Sequence, residues 1–184
     1  MNENLILVDL YDREIGVTDK MAAHRRPLLH RAFSIFLYDD TEERTRLLIQ
    51  KRAYHKYHSG GLWANTCCSH PRAGEDLLEA ATRRLYEEMQ VASPFLLEIN
   101  SFIYYHQFGP ELFEYEFDHV LVGRYSGSYL PNPAEVAEAM WVTEDFLSKD
   151  LLDNPAAYAP WFRSAAPMVL RWLQTQRQAI RTPT

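Results

Sequence analysis

The sequence predicts an α+β fold in which helices pack on a sheet. Three observations carry this. Short runs rich in Ile, Leu, Val, Phe and Tyr stop at turn residues, as strands do. Other runs repeat their apolar residues every three or four positions, as one face of a helix does. Finally, 47% of the 184 residues are apolar and 13% aromatic, enough for one sizeable core. The chain is read as a single domain over residues 1–184, with 1–4 and 180–184 frayed.

The elements follow in order. ENLILVDLYD reads as a first strand. RAFSIFLYDD is a second, stopped by Asp39 and Asp40, and RTRLLIQKRA a third, so residues 31–53 form a hairpin. Residues 54–75 contain Gly-Gly, Pro and Gly and read as a long irregular loop, a kind of segment that often carries function. A helix follows over Glu75–Gln90, with Leu78, Ala81, Leu85 and Met89 on one face. Residues 98–108 and 111–125 read as strands around a turn at Gly109-Pro110. Residues 138–154 give a short strand, then a helix with Thr143 as N-cap and Glu144 and Asp145 in its first turn. Residues 159–178 form the last helix, where Pro167 predicts a kink or break.

Charge narrows the function. A net charge of -6 attracts neither nucleic acid nor an anionic membrane, so phosphate binding needs a local Lys/Arg cluster. Nothing approaches the roughly 20 apolar residues of a membrane span. The start, MNENLILVDLYDRE, lacks a basic region and cleavage site, so a cytoplasmic location is expected. Cys67 and Cys68 are adjacent and have no other cysteine to pair with, so both are expected as thiols. Taken alone, the pair reads as two small buried residues, although one can be a nucleophile or proton donor.

The strand ELFEYEFDHVLV places Glu114, Glu116 and Asp118 on one face. Such a face is either solvated or holds a cation. Of seven histidines, His24 and His30 flank RRPLL and His70 follows Cys68 by two. Three imidazoles with two carboxylates suit a borderline divalent ion such as Mn²⁺ or Zn²⁺. His55, His58 and His106 are read as ordinary surface or core residues. Glu88 sits at the rim of the helix's apolar face, where it can reach a neighbouring cleft, while Arg84–Glu88 also fits ordinary helix pairing. Lys20, Arg52 and Lys56 lie near the candidate metal residues, as a diphosphate site requires, whereas Lys51 is read as solvated. Trp63, Tyr104 and Trp161 are either core or the wall of an apolar pocket.

GLWANTCCSHP, AAHRRPLLHRAFSIFLYD and ELFEYEFDHVLV together resemble the type 1, metal-dependent isopentenyl-diphosphate isomerases, in order and spacing, from about Leu5 to Trp172. That resemblance implies the Nudix fold, a mixed sheet sandwiched between helices. It implies Cys68, not Cys67, as the catalytic thiol, Glu116 as the second acid/base and Tyr104 as its assistant. It implies metal ligation by His24, His30, His70, Glu114 and Glu116, with one Mn²⁺ or Zn²⁺, and a Mg²⁺ near Glu88 that arrives with the substrate diphosphate. Lys20, Arg52, Lys56 and Arg84 are then diphosphate contacts, and Trp161 an aromatic substrate contact. The implied partners are small allylic and homoallylic diphosphates. The apolar, aromatic C-terminal helix reads as packing rather than a dimer patch, so a monomer or weak dimer is expected. Three departures from the Nudix helix pattern stand out: Ser69 and Gln90 replace glycines, and Arg84 replaces a glutamate. The missing carboxylate at 84 counts against diphosphate hydrolysis. A hydrolase and a non-catalytic diphosphate-binding module are the competing readings, and neither needs Cys68.

Overall fold

A computed structural model describes residues 4–92 and 94–181 of the chain. Nine strands form one mixed sheet among the described residues: β1 (Asn4–Val8), β2 (Glu14–Asp19), β3 (His30–Asp39), β4 (Arg46–Arg52), β5 (Trp63–Ala64), β6 (Cys67–Ser69), β7 (Leu96–Gly109), β8 (Leu112–Arg124) and β9 (Val136–Thr143). Four α-helices accompany them: α1 (Lys20–Arg25), α2 (Leu77–Met89), α3 (Glu144–Asp153) and α4 (Pro160–Arg181). No described helix is long and apolar enough to cross a membrane.

β3 and β8 are the axis of the sheet. They run parallel over nine paired residues, from His30 opposite Glu116 to Tyr38 opposite Arg124. All other strand pairs are antiparallel. Alternation along β3 sends Phe33, Ile35 and Leu37 to one core and Phe36 to the other. α2 covers the first face with Ala80, Ala81, Leu85 and Met89. α4 covers the second with Phe162, Ala165, Ala166 and Val169. On β8 the second face is apolar at Val120 and Val122 and turns acidic at Asp118, Glu116 and Glu114, all buried. One strand face thus serves as core at one end and as a polar site at the other.

Several expectations need correction. β2 and α1 lie in a segment whose period was too short to read. α1 is held by its N-cap, Asp19, whose carboxylate accepts from Met21 N (2.9 Å) and Ala22 N (3.2 Å). The loop at 54–75 contains β5 and β6, which edge-pair with β4 and β3. Leu78 is 44% exposed. Because Glu88 belongs to the buried stripe of α2, the stripe rotates toward Leu77, which packs on the core. α4 runs unbroken through Pro167, which faces solvent where water can take the carbonyl it leaves unpaired. Asn4 opens β1 and residues 180–181 close α4; residues 1–3 and 182–184, also expected to fray, lie outside the described residues. Thr143 caps α3 as expected, accepting from Phe146 N at 3.3 Å.

Candidate active site

A cleft opens where the acidic end of β8 meets β3, β6 and the segment after β4. Its lining includes Lys20, Arg52, Lys56, Cys68, His70, Arg84, Glu88, Glu114, Glu116 and Trp161. Ten of the residues singled out from sequence therefore converge on one place. His24 and His30 stand behind the lining. Tyr104 sits opposite Glu116 in the β7–β8 register and lines an adjoining groove with His106 and Arg163. Trp63 is not in the cleft; Lys51 lies 4.7 Å over its ring and bonds Glu138 at 3.1 Å, so Lys51 is paired rather than merely solvated.

The segment WANTCCSHP is built from buried hydrogen bonds. Thr66 Oγ1 donates to Leu48 O at 2.6 Å and accepts from Leu37 N at 2.9 Å. Asn65 Nδ2 donates to Cys67 O at 2.5 Å and Ile35 O at 3.2 Å, while its Oδ1 accepts Trp161 Nε1 at 3.1 Å. Asn65 thus ties the thiol-bearing strand to α4. The pleat of β6 then separates the two cysteines. Cys67 is fully buried in the core under α2, and Cys68 lines the cleft. Burial pushes the Cys68 thiol up to about 12, with Arg52 pulling the other way, so it is protonated at neutral pH. Arg52 Nη1 lies 3.8 Å from its sulfur.

Across the cleft the imidazoles converge. His24 Nδ1 donates to Lys20 O at 2.7 Å and His30 Nδ1 donates to Leu28 O at 2.8 Å. A carbonyl only accepts, so in the neutral ring the other nitrogen, Nε2, offers its lone pair to the cluster. His30 Nε2 is 3.3 Å from His70 Nε2, which lies 2.9 Å from Glu116 Oε1. His24, His30, His70 and Glu116 bring their ligand atoms within 4.8 Å of one another, as do His24, His58 and Glu114. Glu114 Oε2 is buried with no hydrogen-bond partner among the described residues. Lone pairs facing lone pairs, with a buried carboxylate oxygen unpartnered, are the donor set of a divalent cation. Burial holds His24 down to about 4 and His70 down to about 3, so both stay neutral, as ligands must.

The two glutamates have opposite environments. Burial, then the charge of Glu116, pushes Glu114 well above the usual carboxylate range. Burial acts on Glu116 too, but the imidazoles of His30, 3.7 Å away, and His70, 2.9 Å away, overcome it and hold Glu116 well below that range. Asp118 is raised by burial and by Glu116, and takes Ser34 Oγ at 2.8 Å. Tyr104, 7% exposed, has its hydroxyl pushed up by burial and by both glutamates.

The cationic wall is paired. Arg84 bonds Glu88 directly and Glu87 at 2.7 Å. Lys56 bonds Glu135, whose Oε2 is also 3.6 Å from Arg84. Sequence reasoning missed Glu135, which bears no motif signal of its own. It also misread His58. That ring is buried, lies 3.0 Å from Glu114 and stacks on Phe108, so it belongs to the site rather than to ordinary surface or core. The available signal was the Ser-Gly-Gly that follows it.

Comparison with known proteins speaks to fold and family. Residues 28–164 match the NUDIX domain. A Deinococcus radiodurans crystal structure superposes with a TM-score of 0.67 at 22% identity, covering 83% of this chain and 90% of that one. The MutT protein of Methanosarcina mazei gives 0.61 at 14%, covering 81% and 95%. These likenesses define a NUDIX-fold protein. At the level of sequence, the isopentenyl-diphosphate Delta-isomerase of Burkholderia multivorans is 48% identical over 177 residues, 94% of this chain and 98% of its own length. Isopentenyl-diphosphate Delta-isomerase 1 of Aromatoleum aromaticum is 46% identical over 180 residues, 98% of this chain and 99% of its own. The chain belongs to the isopentenyl-diphosphate Delta-isomerase family.

Proposed function

We propose that this cleft interconverts isopentenyl and dimethylallyl diphosphate, in isoprenoid precursor synthesis, with Cys68 and Glu116 moving the protons. The reaction adds a proton at one carbon and removes one from another, through a carbocation-like intermediate. It needs an acid and a base on opposite sides of a small hydrocarbon. The observation that carries the reading is that Cys68 and Glu116 line one cleft from different strands. Cys68 is raised by burial, so it holds a proton to give. Glu116 is held ionised, so it can take one, with Tyr104 assisting beside it. In the reverse direction the roles exchange.

The remaining residues bind and exclude water. Lys20, Arg52, Lys56 and Arg84 hold the diphosphate, which anchors the hydrocarbon remotely from the reacting carbons. Trp161, 3% exposed and fixed by Asn65, presents an aromatic surface to the developing cation, worth about 2 kcal/mol when desolvated. His24, His30, His70, Glu114 and Glu116 would hold one Mn²⁺ or Zn²⁺, and Glu88 would meet a Mg²⁺ bound to the diphosphate. Such cations tune the proton affinity of Glu116 and neutralise phosphate charge.

A proton NMR time course tests this. The purified protein is given isopentenyl diphosphate, Mg²⁺ and Mn²⁺ in deuterated buffer. Dimethylallyl diphosphate carrying deuterium is expected. Phosphate release without isomerisation makes it a hydrolase, and bound but unchanged substrate makes it a binding module.

A further inference from the structure

Resting on the metal centre proposed above, we propose that His58 is a positioning residue of that centre, which orients Glu114 for the cation without binding it. His58 Nε2 lies 3.0 Å from Glu114 Oε1. A Glu114 ionised by the cation only accepts, so a bond to it is donated from Nε2, and Nδ1 then takes the Ser59 hydroxyl at 3.4 Å; His70 differs, because its Nε2 also faces a second imidazole nitrogen, His30 Nε2, at 3.3 Å. A protonated ring nitrogen has no lone pair for a metal. The bond instead occupies one oxygen of Glu114 and leaves the other, the buried and unpartnered Oε2, for the ion. This is the outer-shell arrangement that fixes a ligand's orientation, with imidazole and carboxylate in exchanged places.

The ring is also clamped. Phe108 stacks on it at 4.5 Å, Tyr57 meets its edge at 4.4 Å and Trp161 at 5.8 Å. The chain around it is shaped to deliver it. Ser59 takes φ 51, a left-handed conformation unusual for a side-chain-bearing residue. At Gly60 a Cβ would lie 2.6 Å from the Tyr54 carbonyl, so only glycine closes this turn. Because Trp161 touches the same ring, His58 joins the metal wall of the cleft to its aromatic wall.

The test is Mn²⁺ binding by electron paramagnetic resonance, with His58→Phe, His58→Gln and His58→Ala beside the unaltered protein. His58→Phe keeps the stack on Phe108 and loses only the donor. It should weaken Mn²⁺ binding 10- to 100-fold with an unchanged circular dichroism spectrum. His58→Gln, which can still donate to Glu114, should recover most of that loss, and His58→Ala should lose at least as much as His58→Phe. At saturating Mn²⁺ the loss should fall on kcat rather than on KM. Mn²⁺ affinity in His58→Phe equal to the unaltered protein reduces His58 to packing and overturns the inference alone. Four imidazole nitrogens coupled to the bound Mn²⁺ also overturn it, because His58 is then a ligand. Failure of the unaltered protein to bind Mn²⁺ removes the metal centre itself.

Discussion

The two polar walls of the cleft are both buried and both rich in carboxylates, yet they are finished differently. On the wall of β3, β8 and α1, His24, His30, His70 and Glu116 bring their ligand atoms within 4.8 Å of one another, and Glu114 Oε2 has no partner among the described residues. On the wall of α2 and the segment before β9, Arg84 meets Glu87 and Glu88, and Lys56 meets Glu135. The first wall is short of positive charge and has groups that could hold a divalent cation. The second is neutralised already, so a diphosphate must compete with Glu135 for its cations. Burying a charge is tolerable only when it is paired; one wall meets that condition internally, and the other would meet it by binding.

Removing the proton-transfer groups gives the largest expected effect. Cys68→Ala and Glu116→Gln should each lower kcat by about 10²–10⁴-fold, the usual share of general acid–base catalysis, with the fold intact. Near-normal turnover by either breaks the account of the cleft. Stripping metal tests the first wall. With metal at about 100 times its dissociation constant, loading adds about 2.7 kcal/mol, so chelation should lower Tm by roughly 5–10 °C and re-addition should restore it. An unmoved Tm would mean that the first wall is complete without a cation.

The second wall is tested with the opposite sign. Glu135→Gln removes the competitor for Lys56 and Arg84, and KM for isopentenyl diphosphate should fall by about two- to five-fold, the scale of a modest ion pair. A rise in KM would show that Glu135 positions those cations rather than competing for them. The smallest effect belongs to a paired carboxylate outside the cleft. Asp39 is held down to about 2, first by the Thr41 hydroxyl and against burial, with Arg46 adding to the pull. Its folded value lies below the roughly 3.9 of an unfolded aspartate, so its contribution is present above that pH and fades as pH falls through 2. Urea midpoints of Asp39→Asn should accordingly be less acid-sensitive between about pH 4 and 2 than those of the unaltered protein.

The parts of the site carried by regular strands were legible. Period two along β8 put Glu114, Glu116 and Asp118 on one face, and the structure buries that face. Glu88 was placed at the rim of α2 by period 3.6, and it is buried there. What lay in irregular chain was harder. His58 depends on a left-handed Ser59 and a crowded Gly60, so nothing periodic pointed to it. α1, six residues long, delivers His24 through one N-cap and carries too few turns to show a period. Gln90 shows the converse. It closes α2 with φ 53, the conformation that the glycine of the Nudix pattern would adopt more readily. There a residue other than glycine takes the left-handed cap.

Cys67 and Cys68 offer the most direct test, because they differ only in which face of β6 they occupy. Cys67→Ala, Cys68→Ala and the unaltered protein should each be followed by NMR with isopentenyl diphosphate in deuterated buffer. Deuterated dimethylallyl diphosphate should form with the unaltered protein and with Cys67→Ala, and should be nearly abolished with Cys68→Ala. Equal turnover by both alanine variants would contradict the assignment of Cys68 as the proton donor in this cleft.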